Sequence, residues 1–349
     1  MQSSIFPAYF HSETGKENRM RVAKLVDGNG KSGYDCIDHN ISTISCTMGL
    51  DYRMCFSHSW NFRFINNTDM RIGNRIVATR ENRFFDLERY HGISTRHYIN
   101  GNLEKKTIVK MQIADHFSIP WEDLFEEILC SFEENRPVSI EIDPYVCEWD
   151  NGYNKYHGSH ACVLYGFDGC DFLVYDSWYN KTHCRINLDI VKQSFLRIVI
   201  FDSGKGNELL FDELLFLKEI AYENSRSNMI DSIVTLSESL GSIDLRNEFE
   251  GCNKETYCFS AIDSRLLRVT EQRLQFSYCI NYLNRRMQYE QLNDIARMFE
   301  HAAELWRNLK TLIAKSFITG NDNPGNLSEK CFGIADYEQR ILKQILDVC

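Results

Sequence analysis

Cys36, His160 and Asp176 are the side chains whose types and spacing suit covalent chemistry. Cys36 opens a segment in which Ile37, Ile41, Ile44 and Met48 recur at spacings of four, three and four, so one face of a helix is buried and Cys36 lies in its first turn. A thiol there meets backbone N–H groups and the positive end of the helix dipole, both of which favour thiolate. His160 begins the apolar run His160–Phe167, and Gly166-Phe167-Asp168-Gly169-Cys170-Asp171 is a hairpin signal. A three-residue loop, Phe167-Asp168-Gly169, with Gly169 left-handed in a bulge, pairs Gly166 with Cys170 and sets His160 opposite Asp176 on one face. A two-residue Asp168-Gly169 turn would instead pair His160 with Ser177 and send Asp176 to the other face. A nucleophile on a helix, with its base (His160) and orienting acid (Asp176) on adjacent strands, is the layout of papain-type cysteine enzymes.

Other readings of the same residue types are weaker. Most of the 13 cysteines are expected to be small buried hydrophobes. His157, His160 and His183 with Cys184 contain the types a metal would need, but not a ligand spacing that identifies zinc. His39, three residues after Cys36, reads as a solvated or core histidine, and Asp143 before Pro144 as a turn former or a site carboxylate.

These residues must be positioned by a mixed first half. Trp121–Phe132 has the apolar stripe of a helix starting after Pro120. Strands are expected at Val138–Ile142, Ala161–Phe167, Phe172–Asp176 and Leu196–Phe201. After the polar seam Asp202-Ser203-Gly204-Lys205-Gly206, strand signals fade and helical stripes run through Leu209–Ile220, Met229–Leu240, Leu266–Leu283 and Leu292–Ile318. The expected fold is α+β, with a catalytic domain over 1–204 and an all-helical domain over 205–349.

The 349 residues are 43% apolar and 13% aromatic, enough for two cores. A formal charge of −10 argues against nucleic acid as the main partner. The absence of a leader-like N-terminus or a long apolar run argues against secretion and membrane spanning. The odd cysteine count, scattered and without C-x-x-C, favours reduced thiols and a cytoplasmic location.

Tyr34-Asp35-Cys36-Ile37-Asp38-His39-Asn40, Arg136-Pro137-Val138-Ser139-Ile140-Glu141-Ile142-Asp143, Ser159–Asp168 and Val174-Tyr175-Asp176 together resemble the butirosin biosynthesis protein H family. Ala296–Trp306 is similar to the helical domain that often follows in that family. The resemblance implies a papain-like, double-glycine-peptidase-like fold and an acyltransferase that moves an acyl chain from an acyl or peptidyl carrier protein to a small-molecule amine. Cys36 would take the acyl group, His160 act as base and Asp176 orient it. No cofactor or metal is implied, because the acyl group arrives on the carrier's phosphopantetheine; a homodimer is compatible with this reading. Two features depart from the family. Phe56–Phe64 stands where glycines are usual, and the oxyanion glutamine of double-glycine peptidases is missing between Val26 and Asp35, leaving Asn29 or backbone N–H groups at Cys36. Arg71, Arg75, Arg80 and Arg83 are the candidate carrier-docking patch. A hydrolase with the same triad and a non-catalytic pathway scaffold are the rival functions.

Overall fold

Alternation of apolar residues along Val138–Ile142, and near-continuous apolar runs in the neighbouring strands, build a sheet buried on both faces. The computed structural model describes residues 21–26, 34–78, 83–100, 116–117, 119–202, 212–321 and 323–348. Its elements in chain order begin with β1 (Arg21–Val22), α1 (Cys36–Thr47), β2 (Arg63–Phe64), α2 (Ile72–Arg75), β3 (Ile76–Val77) and α3 (Arg83–His91). Next come β4 (Ser94–Ile99), β5 (His116–Phe117), α4 (Trp121–Glu133), β6 (Val138–Ile142), β7 (His160–Phe167), β8 (Asp171–Asp176), β9 (Lys181–Asn187), α5 (Leu188–Ser194) and β10 (Phe195–Asp202). The helices α6 (Glu213–Arg226), α7 (Met229–Leu240), α8 (Leu245–Glu248), α9 (Ala261–Met287), α10 (Glu290–Thr319) and α11 (Pro324–Val348) follow. The protein is thus α+β, with an antiparallel sheet and a C-terminal helical region. Among the described residues no helix is long and apolar enough to cross a membrane.

The described residues fall into two compact units, one from Met1–Tyr52 and Leu87–Glu208, the other from Arg53–Asp86 and Leu209–Cys349. The first holds the large sheet, in the order β5-β4-β10-β6-β7-β8-β9, with β1 also on β7. All pairings are antiparallel except β4 with β5. On one face α4 presses Leu124, Ile128 and Phe132 against Ile140, Cys162, Leu164, Val174 and Ile198. On the other face lies α1, whose buried Asn40 donates from Nδ2 to Ser139 Oγ (2.9 Å) and Cys162 O (2.8 Å).

The β7–β8 hairpin differs from the expected one. Asp168 Oδ1 accepts from the N–H groups of Cys170 (3.1 Å) and Asp171 (2.9 Å), while Asp168 N donates to Asp171 O. This side-chain capture closes a two-residue Gly169-Cys170 turn, with Gly169 at φ +106°, and pairs Gly166 with Leu173 rather than Cys170. Unbroken, that register would set Asp176 against Val163, facing away from His160. A bulge between Leu164 and Gly166 shifts the pairing to Leu164 with Val174 and Val163 with Tyr175. One further step along it brings Asp176 beside Cys162, diagonal to His160 and on its face.

The second unit corrects the expected domain layout, because residues 53–86 belong with the helices rather than with the sheet. The segment supplies Phe56, Trp60 and Phe62 to the helical core, where Trp60 packs edge-on to Phe299 (ring centroids 5.0 Å) and Phe62 lies 5.4 Å from Trp306. Glu248 caps α2 by accepting from Ile72 N (2.8 Å) and Gly73 N (2.7 Å). A Cβ on Gly73 would lie 2.2 Å from Ile262 N, a backbone atom that cannot swing aside. Gly73→Ala is therefore expected to cost at least the roughly 1–3 kcal/mol typical of overpacking, read as a lower urea midpoint at unchanged slope. Two arginines of the candidate docking patch are buried. Arg71 pairs with Glu250, Arg75 is buried over the Phe64 ring (4.2 Å), and Arg83 is buried. Arg80 lies outside the described residues.

Candidate active site

Asp35 caps α1 through a reciprocal pair: its side chain accepts from Asp38 N (2.8 Å), and Asp38 Oδ2 accepts from Asp35 N (3.0 Å). Cys36 follows as the first helical residue and is half-buried. The direction of α1 is set from its far end. Thr47 Oγ1 accepts from Val26 N, and Ala23 N, three residues earlier, donates to Tyr165 O. The C-terminal end of α1 thus lies by the Tyr165 end of β7, and its N-terminal end, with Cys36, lies toward the end where His160 begins the strand. One contact agrees with this placement: the His39 ring lies 6.2 Å from Trp178, two residues beyond Asp176.

His160 and Asp176 are joined directly. His160 Nε2 stands 2.6 Å from Asp176 Oδ2, with Asp176 fully buried and His160 6% exposed. Trp149 Nε1 donates to the same oxygen (2.8 Å), and Tyr179 N to Oδ1 (3.2 Å). Burial opposes ionisation of Asp176, but the bonds and charge from His160, Trp149 and Tyr179 outweigh it and hold the carboxyl below its usual range. An ionised carboxylate only accepts, so Nε2 donates in this bond.

No protein-family model matches the chain, and no curated protein matches it either.

What the arrangement can do is therefore read from its atoms. A cysteine at a capped helix start and a histidine fixed by a buried acid at the facing end of β7 are the residue types of a nucleophile, a base and an orienting group. Metal-type residues go elsewhere. His157 Nδ1 contacts Asp143 Oδ2 (2.6 Å), closing the neck of the 143–158 loop, and His183 Nδ1 contacts the Tyr165 hydroxyl (3.1 Å). Among the described residues no group of three His, Cys, Asp or Glu side chains could hold a metal ion. His39 packs edge-on to Tyr34. Asn29 lies outside the described residues.

Sequence reasoning missed Trp149, Asp150 and Tyr179. Trp149 and Asp150 sit in a loop between strands where no periodicity marks them, and Tyr179's only signal is its closeness to Asp176 in the chain. Trp149→Phe tests the carboxylate's support. Because the folded-state value of Asp176 is depressed, its stabilisation is present above the ordinary carboxylate range and lost as pH falls through the lowered value. The variant is expected to lose about 1.5–3 kcal/mol at pH 7, typical of a hydrogen bond to a charged group. In urea unfolding series the gap to wild type should narrow as acid protonates Asp176.

Proposed function

We propose that the chain is a cysteine acyltransferase with a papain-like catalytic unit, which carries an acyl or peptidyl group from a carrier-protein thioester, through Cys36, to an amine. The observation that supports this most is the buried His160–Asp176 hydrogen bond at the end of β7 toward which α1 directs Cys36. The resemblance of residues 34–40, 136–143, 159–168 and 174–176 to the butirosin biosynthesis protein H family supplies the reaction class.

In this reading His160 Nδ1 takes the proton from Cys36 Sγ, and the thiolate attacks the thioester carbonyl. The new C–S bond forms as the carrier's thiol leaves with the proton from the imidazolium. An amine then attacks the acyl-cysteine; His160 accepts its proton and returns it to the Cys36 sulfur. The capping box occupies Asp35 N and Asp38 N, so neither of these amides is left to serve an oxyanion.

The test is intact-protein mass spectrometry after incubation with an acyl-N-acetylcysteamine thioester. A mass gain equal to the acyl group, mapped to Cys36 and discharged by added amine, supports the reading. Equal free-acid release with and without amine would point to the hydrolase, and absence of acylation would sink both.

A further inference from the structure

His160 has a second buried carboxylate on the side away from Asp176. Asp150 Oδ2 lies 3.9 Å from His160 Nδ1, and the Asp150 side chain is 2% exposed. That separation is too long for a hydrogen bond, yet short for two groups withdrawn from water, where charges interact strongly. Asp150 is held by Gly152 N, which donates to its Oδ1 (2.6 Å), and it lies near enough to Tyr179 to oppose ionisation of that phenol. Tyr179 also lays its ring 5.4 Å from the imidazole and gives its backbone N–H to Asp176. One residue therefore borders both acids and the base.

We propose that Asp150 is a positioning residue for His160, a second carboxylate that retains the proton taken from Cys36 on Nδ1. This inference rests on the acyl-transfer reading for the use of that proton. In the step concerned, the S–H bond of Cys36 breaks, sulfur keeps the electron pair, and the proton passes to Nδ1 while Nε2–H stays on Asp176. The imidazolium then lies between two anions. The tyrosine and cysteine groups whose ionisation these carboxylates oppose add no charge at neutral pH. Burial pushes Tyr179 and Cys147 each up to about 12, and it raises Tyr156 and Cys184 as well, with the carboxylates adding to the effect. Asp176 from β8 is the other acid against the ring. Sequence spacing carried no trace of Asp150's role, because its approach to His160 depends on the 143–158 loop folding back over the strand end.

The experiment is the pH dependence of Cys36 alkylation by iodoacetamide between pH 4.5 and 9, quantified by peptide mass spectrometry, for wild type, Asp150→Asn and Tyr179→Phe. Asparagine keeps the shape and the Gly152 contact but removes the charge. Its pH of half-maximal Cys36 labelling is expected to rise by about one unit, so that labelling at pH 6 slows roughly tenfold. Tyr179→Phe keeps the ring and the backbone bond to Asp176 but removes the hydroxyl near Asp150, and should shift the curve in the same direction by less. If Asp150→Asn does not fold, the Tyr179→Phe curve decides alone. Curves that overlay wild type overturn the role of Asp150. Labelling needs no thioester, so shifted curves in a protein that takes up no acyl group would leave this inference standing and remove the acyl-transfer reading instead.

Discussion

Cys36→Ala is expected to gain no acyl mass from a thioester that acylates the wild type, and to show no turnover. The thiol is the only atom in the scheme that can carry the acyl group between donor and acceptor, so no neighbouring group compensates. His160→Ala should still acylate, because some thiolate forms at the helix N-terminus without a base, but about 10²–10⁴-fold more slowly, the usual contribution of general-base catalysis. Asp176→Asn should fall between wild type and Cys36→Ala. The amide can still accept from Trp149, yet it no longer supplies the negative charge that balances an imidazolium. Single-turnover acylation followed by mass spectrometry separates the three. Undiminished turnover by Cys36→Ala would end the covalent mechanism.

The largest stability effect is expected at Glu338. This carboxylate is fully buried in the helical unit and accepts from Arg273 Nε (2.8 Å) and NH2 (2.9 Å), Trp306 Nε1 (2.7 Å) and Trp60 Nε1 (3.1 Å). Arg273 spends a further donor on Asn61 O (2.9 Å), so the network reaches the 53–86 segment through both its side chain and its backbone. Glu338→Ala leaves the Arg273 guanidinium buried without its counter-charge and two indole N–H groups without an acceptor. Removing one partner of a buried pair costs about 3–5 kcal/mol, and the stranded indoles add to it. Glu338→Gln, which retains an acceptor oxygen, should lose less. Thermal and urea unfolding followed by tryptophan fluorescence would check the order, and equal midpoints for Glu338→Ala and wild type would contradict it.

Elements with a strong local pattern were legible from the chain. Met229–Leu240 and Val138–Ile142 have the bounds their periodicity implies, and Cys36 begins α1 because Asp35 and Asp38 form a capping box over it. The contact of His160 with Asp176 was anticipated for a different reason from the one found. The expected loop had three residues, whereas Asp168 draws two amides into a tighter turn and a bulge at Tyr165 restores the shared face. Such a compensation between turn and strand leaves no periodic trace. Also missed were β4 and β9. In β9 the side chains of Lys181, Thr182 and His183 are exposed, so hydrophobic alternation had little to report. The placement of residues 53–86 was hidden because their partners are hundreds of residues away. The α11 helix, from Pro324 to Val348, has Gly325 and Gly333 within it, which weaken its local signal although its buried face is continuous.

Trp60 and Glu338 are separated by 278 positions. At synthesis rates of 5–20 residues per second, roughly 15–55 s pass between the emergence of one and the other. During that interval the nascent chain displays Phe56, Trp60 and Phe62 without Glu338 to complete their core, and the strands of the sheet unit, which end at Asp202, are complete for only about its second half. Burial of the segment thus waits for the synthesis of α11, which carries Glu338.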